Sequence, residues 1–154
     1  MKAVLCHEFS GFDSLKVETI EDPSCGPDDV LVCVEATSLN FADTLMTRNK
    51  YQFTPELPYS PGGEIAGTIL KTGENVKSVF PGSPVMAYIG WGGARQKVII
   101  KETQAVLLPD GIPFEEAAGL SVTYGTTLYA LKTRADMKPG ETLVILGAAG
   151  GVGQ

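Results

Sequence analysis

Glycine and proline interrupt this chain so often that its first hundred residues can form only short elements. The 154 residues include 18 glycines and 10 prolines, which are spread along the chain and not concentrated in one linker. Between them stand β-prone runs, for example KAVLCH, LKVETI and DVLVCVEAT. Many short strands separated by turn residues predict a barrel or a sandwich of mainly β structure.

Composition and charge argue against several classes of protein. Hydrophobic residues make up 44% of the chain, charged residues 19%, and the net charge is −6. These values predict a globular protein with neither a nucleic-acid nor an anionic-membrane partner. The apolar runs are shorter than the roughly 18 residues of a membrane span, and we expect no signal peptide. The three cysteines have no CxxC spacing, which favours reduced thiols and a cytoplasmic location.

The pattern changes from β-prone to helical in the last third of the chain. One earlier helix is predicted for NFADTLMTR, where Asn40 can act as the N-cap and Asp43 places a carboxylate near the helix start. After LPDG, the segments FEEAAGL and SVTYGTTLYALKTRA have helical character, and TLVIL is typical of a strand. We therefore expect one domain over residues 1–123 and the start of a second over residues 124–154.

The segment TLVILGAAGGVGQ has the order of strand, glycine-rich turn and helix start that nucleotide-binding units use. Gly150 would let backbone amides approach a pyrophosphate, and Gly153 would let the helix pack closely on the strand. The helix N-terminus would attract the phosphate charge. Ala148 stands where the usual fingerprint has its first glycine, so a plain turn is the alternative interpretation.

Four stretches of the chain, in the same order, resemble one enzyme family: SLNFADTLMTRNKY, LPYSPGGEIAG, FEEAAGLSVTYGTTLYAL and KPGETLVILGAAGGVGQ. They are similar to the zinc-independent quinone oxidoreductases, the zeta-crystallin-like branch of the medium-chain dehydrogenase/reductase superfamily. The resemblance implies a GroES-like β-barrel catalytic domain followed by the start of a Rossmann α/β domain. It also implies the amino-terminal half of an enzyme that binds NADPH and forms a homodimer when full-length. This half alone is expected to be inactive.

The resemblance implies roles for individual residues. Asn40 and Tyr51 match catalytic residues of the family's substrate cleft, and Asp43 matches an aspartate that supports the same loop. Helix capping by Asn40, a surface position for Tyr51 and an ordinary helix hydroxyl for Thr126 are the alternatives. The residues matched to the cofactor site are Asn40, Thr126, Ala148, Ala149, Gly150, Gly151, Val152 and Gly153.

Departures from other branches of the superfamily indicate the reaction type. Zinc-dependent relatives hold the metal with a cysteine and a Gly-His-Glu motif, whereas this chain has SLNFAD and PGGE, with Gly63 in place of the histidine. Without a Lewis acid, an electron-poor conjugated acceptor is favoured, so the sequence predicts hydride transfer from NADPH to a quinone. Reduction of the C=C bond of an enone or alkenal is one alternative, and a relative that binds cofactor without turnover is another. Leu45 replaces a tyrosine of some relatives, which removes one candidate proton donor.

We predict that the protein binds no stoichiometric zinc, because both motifs lack the residues that hold the metal and a catalytic zinc site needs about three protein ligands. Elemental analysis of the purified protein should therefore find far less than one zinc per chain. One tightly bound zinc per chain would contradict this prediction.

Overall fold

The computed structural model describes all of residues 1–154, and it consists mainly of short antiparallel strands, as the sequence predicts. The β-prone runs of the first hundred residues form strands, and the longest strand has 10 residues. The strands are β1 (Lys2–Cys6), β2 (Leu15–Thr19), β3 (Asp29–Ser38), β4 (Glu64–Thr72), β5 (Pro84–Tyr88), β6 (Lys97–Lys101) and β7 (Val106–Leu107).

Short helices connect and follow the strands. The α-helices are α1 (Phe41–Met46), α2 (Phe114–Ala117) and α3 (Gly125–Leu128). Wider π-helical turns, Leu120–Tyr124 and Tyr129–Arg134, flank α3, so residues 120–134 form one continuous helical segment. The domain boundary expected at residue 123 falls inside this segment and stays a prediction. None of the helices combines the length and the apolar character that crossing a bilayer requires.

The strands form two sheets that one segment of the chain joins. β1 and β2 form a hairpin, and the other five strands pair antiparallel in the order β6–β3–β4–β5–β7. The Gln96 N–H donates to the Lys2 carbonyl oxygen at 3.0 Å, and the Val34 N–H donates to the Gln96 carbonyl oxygen at 2.9 Å. The hairpin is thereby attached to the edge of the larger sheet, which gives a partly closed barrel.

The main core lies on one face of the five-stranded sheet. Alternate residues of β3 and β6 point inward, so Val30, Val32, Val98 and Ile100 are all buried. They belong to one cluster whose other members are Ile65, Ile69, Val76, Val79, Val85 and Ala87. This packed face holds the end of β3 and the start of β4 in place, and the candidate site lies there.

β3 and β4 approach each other closely at one point. The register of their pairing shifts between Val34 and Ala36, which leaves Glu35 as the extra residue of a β-bulge. Opposite the bulge lies Gly67, where an added Cβ would lie 1.9 Å from the Cys33 carbonyl oxygen. Only glycine leaves room for the two backbones at this position.

The predicted strand TLVIL is not formed. Residues 142–146 pair with no other strand of the chain, and a β-strand is held by hydrogen bonds to a neighbouring strand. Their side chains are exposed, Leu146 to 92%. The prediction is therefore wrong for this chain, because an apolar run becomes a strand only where a second strand pairs with it.

Replacing Gly67 by alanine should destabilise the barrel by on the order of 3 kcal/mol, the upper end of the cost of over-packing, because the added methyl group would force β3 and β4 apart. Thermal or denaturant unfolding measures the effect. Gly125→Ala is the matched control: a Cβ there meets no neighbouring atom and the residue is helical, so that variant should be about 0.5–1 kcal/mol more stable than the parent. Equal stability of the two variants would contradict the prediction.

Candidate active site

Asp43 fixes the loop between β3 and α1. Its carboxylate is buried, with Oδ2 accepting the backbone N–H of Asn40 at 2.7 Å and Oδ1 accepting that of Gly62 at 2.8 Å. The first of these bonds is half of a capping box at the start of α1. The second ties the helix start to the PGGE turn, so one side chain sets the distance between two loops. The supporting role implied for Asp43 has a physical basis in these two bonds.

The side chain of Asn40 does not cap the helix, although Asn40 occupies the N-cap position. The N–H of Asp43 instead donates to the backbone oxygen of Asn40 at 3.0 Å. The side-chain nitrogen of Asn40 donates to Glu64 Oε2 at 3.0 Å and to Ser38 Oγ at 3.2 Å. The Asn40 amide is therefore directed toward the barrel, and its oxygen has no donor within the protein.

Glu64 is the buried acid of the site, with only 1% of its surface exposed. Besides the Asn40 amide, Oε2 accepts the Ser38 hydroxyl at 2.7 Å, and Oε1 accepts the backbone N–H of Val122 at 2.6 Å. No lysine or arginine pairs with it. A buried carboxylate needs such a complete set of donors, so its neighbours are held tightly by their bonds to it.

A cleft of about 60 Å³ opens beside this network. It contains Asn40 and Tyr51, the two residues expected to be catalytic. The full set of lining residues is Asn40, Ala42, Asp43, Met46, Tyr51, Gly63, Tyr88, Gly90 and Val122. The structure therefore places the Asn40 amide, the phenols of Tyr51 and Tyr88, and Val122 of the helical segment 120–134 around one cleft.

Tyr51 is held at the cleft by the end of α1. Asn49 adopts a positive φ of 53° and turns the chain after the helix, a conformation that asparagine tolerates better than most residues. The half-buried ring of Tyr51 packs beside Met46 and Tyr59 and meets the Phe53 ring edge-on, with centroids 6.1 Å apart. The ring is thus anchored in the fold and is not a free surface aromatic.

Tyr88 is the cleft residue that sequence reasoning missed. It ends β5 and pairs in register with Glu64. Partial burial raises the pKa of its phenol, and the nearby Tyr51, Glu64 and Asp43 act in the same direction. The alternation in PVMAYI places Val85 and Ala87 in the core and Tyr88 on the opposite face. That signal was present in the sequence, but only the sheet order shows that β5 lies beside PGGE.

Because Gly63 has no side chain, the Tyr88 ring and the loop at Gly90 can lie close to its backbone. A Cβ at Gly63 would lie 2.9 Å from the Gly90 carbonyl oxygen and 3.6 Å from Tyr88 Cε2. No group of three or more His, Cys, Asp or Glu side chains is arranged to hold a metal ion. His7 lies on the surface, with Nε2 2.7 Å from Glu18 Oε1. The zinc prediction stays open to elemental analysis.

The glycine-rich loop 147–153 forms a tight turn in which most backbone amides are unpaired. An added Cβ at Gly153 would lie 2.5 Å from the Gly147 carbonyl oxygen, so this glycine permits the tight turn. The bond from Gln154 N–H to the Gly150 oxygen, 3.1 Å, has the i to i−4 spacing of a first helical turn. Five amides of the loop have no hydrogen-bond acceptor within the protein, and unpaired amides of this kind can donate to a phosphate group: those of Gly147, Ala148, Ala149, Gly151 and Val152. The residues present therefore fit a pyrophosphate.

The loop is attached to the helical segment through Thr127. The Thr127 hydroxyl donates to the Val152 carbonyl oxygen at 2.9 Å, and a Cβ at Gly151 would lie 3.0 Å from Thr123 Cγ2. Thr126 is exposed, and its side chain makes no hydrogen bond. It does not line the cleft of Asn40 and Tyr51, so its match to the cofactor site stays a prediction.

Replacing Asp43 by asparagine should lower the free energy of unfolding by about 1–3 kcal/mol, because the new NH2 group would face one of two backbone N–H donors. Denaturant unfolding of the chain measures this loss. Asp13→Asn is the control: Asp13 is exposed and its side chain makes no hydrogen bond or ion pair, so that variant should unfold like the parent. An Asp43→Asn variant as stable as its control would show that the two bonds do not hold the loops.

Comparison with known proteins identifies the family. Residues 26–110, more than half of the chain, match the family described as the alcohol dehydrogenase GroES-like domain. The chain is 35% identical over 153 residues to quinone oxidoreductase-like protein 2 homolog from Nematostella vectensis. That alignment covers 99% of this chain and 42% of the relative.

Solved structures agree in fold. The quinone oxidoreductase of Escherichia coli, complexed with NADPH, superposes with a TM-score of 0.89 at 30% identity, and the CurK enoyl reductase with a TM-score of 0.88 at 28% identity. Each covers 99% of this chain, which spans 47% and 48% of those two chains. These matches confirm the expected fold class and the resemblance to quinone oxidoreductases. The chain belongs to the family of the alcohol dehydrogenase GroES-like domain, and it corresponds to the amino-terminal half of its medium-chain dehydrogenase/reductase relatives.

Proposed function

We propose that this chain forms the substrate-cleft half of an NADPH-dependent oxidoreductase that reduces a quinone or a similar electron-poor small molecule. The observation that carries the proposal is the cleft itself, which is lined by the Asn40 amide, two phenols and the start of the helical segment 120–134. NADPH, when bound, supplies the hydride. Relatives solved with NADPH or described as quinone oxidoreductases support the same reading.

The cofactor would be held by backbone more than by side chains. The open amides of the loop 147–153 would cradle its pyrophosphate. In the cleft, the free side-chain oxygen of Asn40 would accept a hydrogen bond from an N–H or O–H group of the bound molecule. The Thr127 bond to Val152 would hold the loop against the helical segment 120–134. The loop amides and Asn40 would then keep a fixed spacing when both contact the cofactor.

The substrate would be bound and polarised by the phenols. Reduction of a quinone places negative charge on its oxygen, and hydrogen-bond donors aimed at that oxygen stabilise the transition state. Tyr51 and Tyr88 both line the cleft and each carries an O–H donor. A tyrosine phenol is protonated at neutral pH and can donate, and partial burial moves the pKa of Tyr88 further from neutrality.

Two other functions are tested by the same assay. The CurK enoyl reductase among the structural relatives favours reduction of a conjugated C=C bond as the second candidate. A relative that binds the cofactor without turnover is the third. We further propose a cytoplasmic homodimer for the longer protein, on the basis of the family resemblance.

Tyr51→Phe should lower kcat/KM for a quinone by about 10- to 100-fold, the scale of one lost hydrogen bond to a developing charge. The assay follows NADPH oxidation with one quinone and one enone, in the longest natural protein that contains this chain. Thermal unfolding should change little, since the ring and its packing remain. Tyr129→Phe is the matched control, because Tyr129 is exposed and lies outside the cleft.

Each outcome selects one function. A loss restricted to the enone would favour the C=C reductase, since a carbon centre must also be protonated there. Unchanged kcat/KM for both acceptors would remove Tyr51 from catalysis. Binding of NADPH without oxidation by either acceptor would indicate the non-catalytic relative.

A further inference from the structure

We propose that Glu64 is a positioning residue that decides which end of the Asn40 side chain faces the cleft. Through its carboxylate, Glu64 holds the NH2 end of Asn40 against the barrel and leaves the oxygen end for the ligand. The cleft would then present a hydrogen-bond acceptor, which selects ligand groups that carry N–H or O–H, such as the primary carboxamide of nicotinamide. The inference rests on the proposed function for the identity of the ligand.

The direction of the hydrogen bonds follows from chemistry. An asparagine amide has a donor end and an acceptor end of nearly the same shape, and its orientation is decided by its neighbours. An ionised carboxylate only accepts hydrogen bonds. The Asn40 end that lies 3.0 Å from Glu64 Oε2 is therefore the NH2 group. Ser38 agrees with this direction, because its hydroxyl accepts from Asn40 and donates to Glu64.

The carboxylate is itself prevented from turning. Its second oxygen accepts the backbone N–H of Val122 at 2.6 Å, and the group is almost completely buried. Rotation would break that bond and leave the half-buried Val122 N–H unpaired, which costs up to about 1–3 kcal/mol. Glu64 thus connects the start of β4, the loop of Asn40 and the first turn of the helical segment 120–134.

Glutamine at position 64 would have nearly the same shape as glutamate but would reverse which end of the Asn40 amide faces the cleft. The Val122 N–H needs an acceptor, so the Gln oxygen would face Val122 and the Gln NH2 would face Asn40. Asn40 would then turn its own oxygen toward position 64 and its NH2 toward the cleft. The acceptor offered to the ligand would become a donor.

The first experiment measures the Kd for NADPH by calorimetry in the longest natural protein that contains this chain, for Glu64→Gln, Asn40→Ala and the double variant. Glu64→Gln should weaken binding about 10-fold, the scale of one hydrogen bond. The double variant should bind no more weakly than Asn40→Ala alone, because Glu64 acts through Asn40. Glu56→Gln, an exposed acid without side-chain partners, should bind like the parent. Unchanged affinity in Glu64→Gln, or losses that multiply in the double variant, would overturn the proposal.

The second experiment needs neither a variant nor a ligand. In the parent chain, NMR hydrogen exchange of the Asn40 side-chain NH2 should be at least 10-fold slower than that of an exposed asparagine, because both protons face the barrel. Exchange at the rate of an exposed amide would overturn the proposal even if Glu64→Gln does not fold. Failure of the parent protein to bind NADPH would instead contradict the proposed function, while the orientation of Asn40 would still be read from its exchange rate.

Discussion

The site depends on one buried carboxylate whose oxygens accept hydrogen bonds from the protein and which pairs with no cation. Glu64 receives three donors, two from side chains and one from the backbone of Val122. Each donor belongs to a different part of the chain, so the carboxylate acts as a junction between the barrel, the cleft loop and the helical segment 120–134. A buried charge held in this way resists displacement, because moving any one donor leaves the charge under-solvated. Asp43 makes a second junction of the same kind, between α1 and the PGGE turn.

Much of the architecture could be predicted from the sequence because local chemistry determines it. Alternating runs between glycine and proline correctly predict the strands, and the spacing of Asn40 and Asp43 correctly predicts the start of α1. The failed prediction was TLVIL, since strand formation needs a partner that no local pattern supplies. The role of Tyr88 was missed for a related reason. Its neighbours belong to β4 and α1, and only the sheet order brings them together.

The details of the site depend on the directions in which individual side chains point, and the sequence alone does not give those directions. The sequence allows Asn40 either to cap α1 or to lie in the cleft, and the structure shows both. The backbone oxygen of Asn40 accepts a hydrogen bond at the start of α1, and its side chain lines the cleft. Thr126 and Thr127 are adjacent and chemically identical, and only helix geometry shows that Thr127 reaches the glycine loop. Differences of one residue on a helix rotate a side chain by about 100°, and sequence resemblance alone does not resolve them.

The apolar residues 143–146 have a consequence for handling this chain. Leu143, Val144, Ile145 and Leu146 are consecutive, exposed and without backbone partners. A segment of this kind has high β propensity and no charge, so it offers an open template to an identical segment of another molecule. We therefore expect this run to favour self-association of the chain in concentrated solution. A lysine in place of Val144 would act as a gatekeeper and keep the chain dispersed without disturbing the barrel.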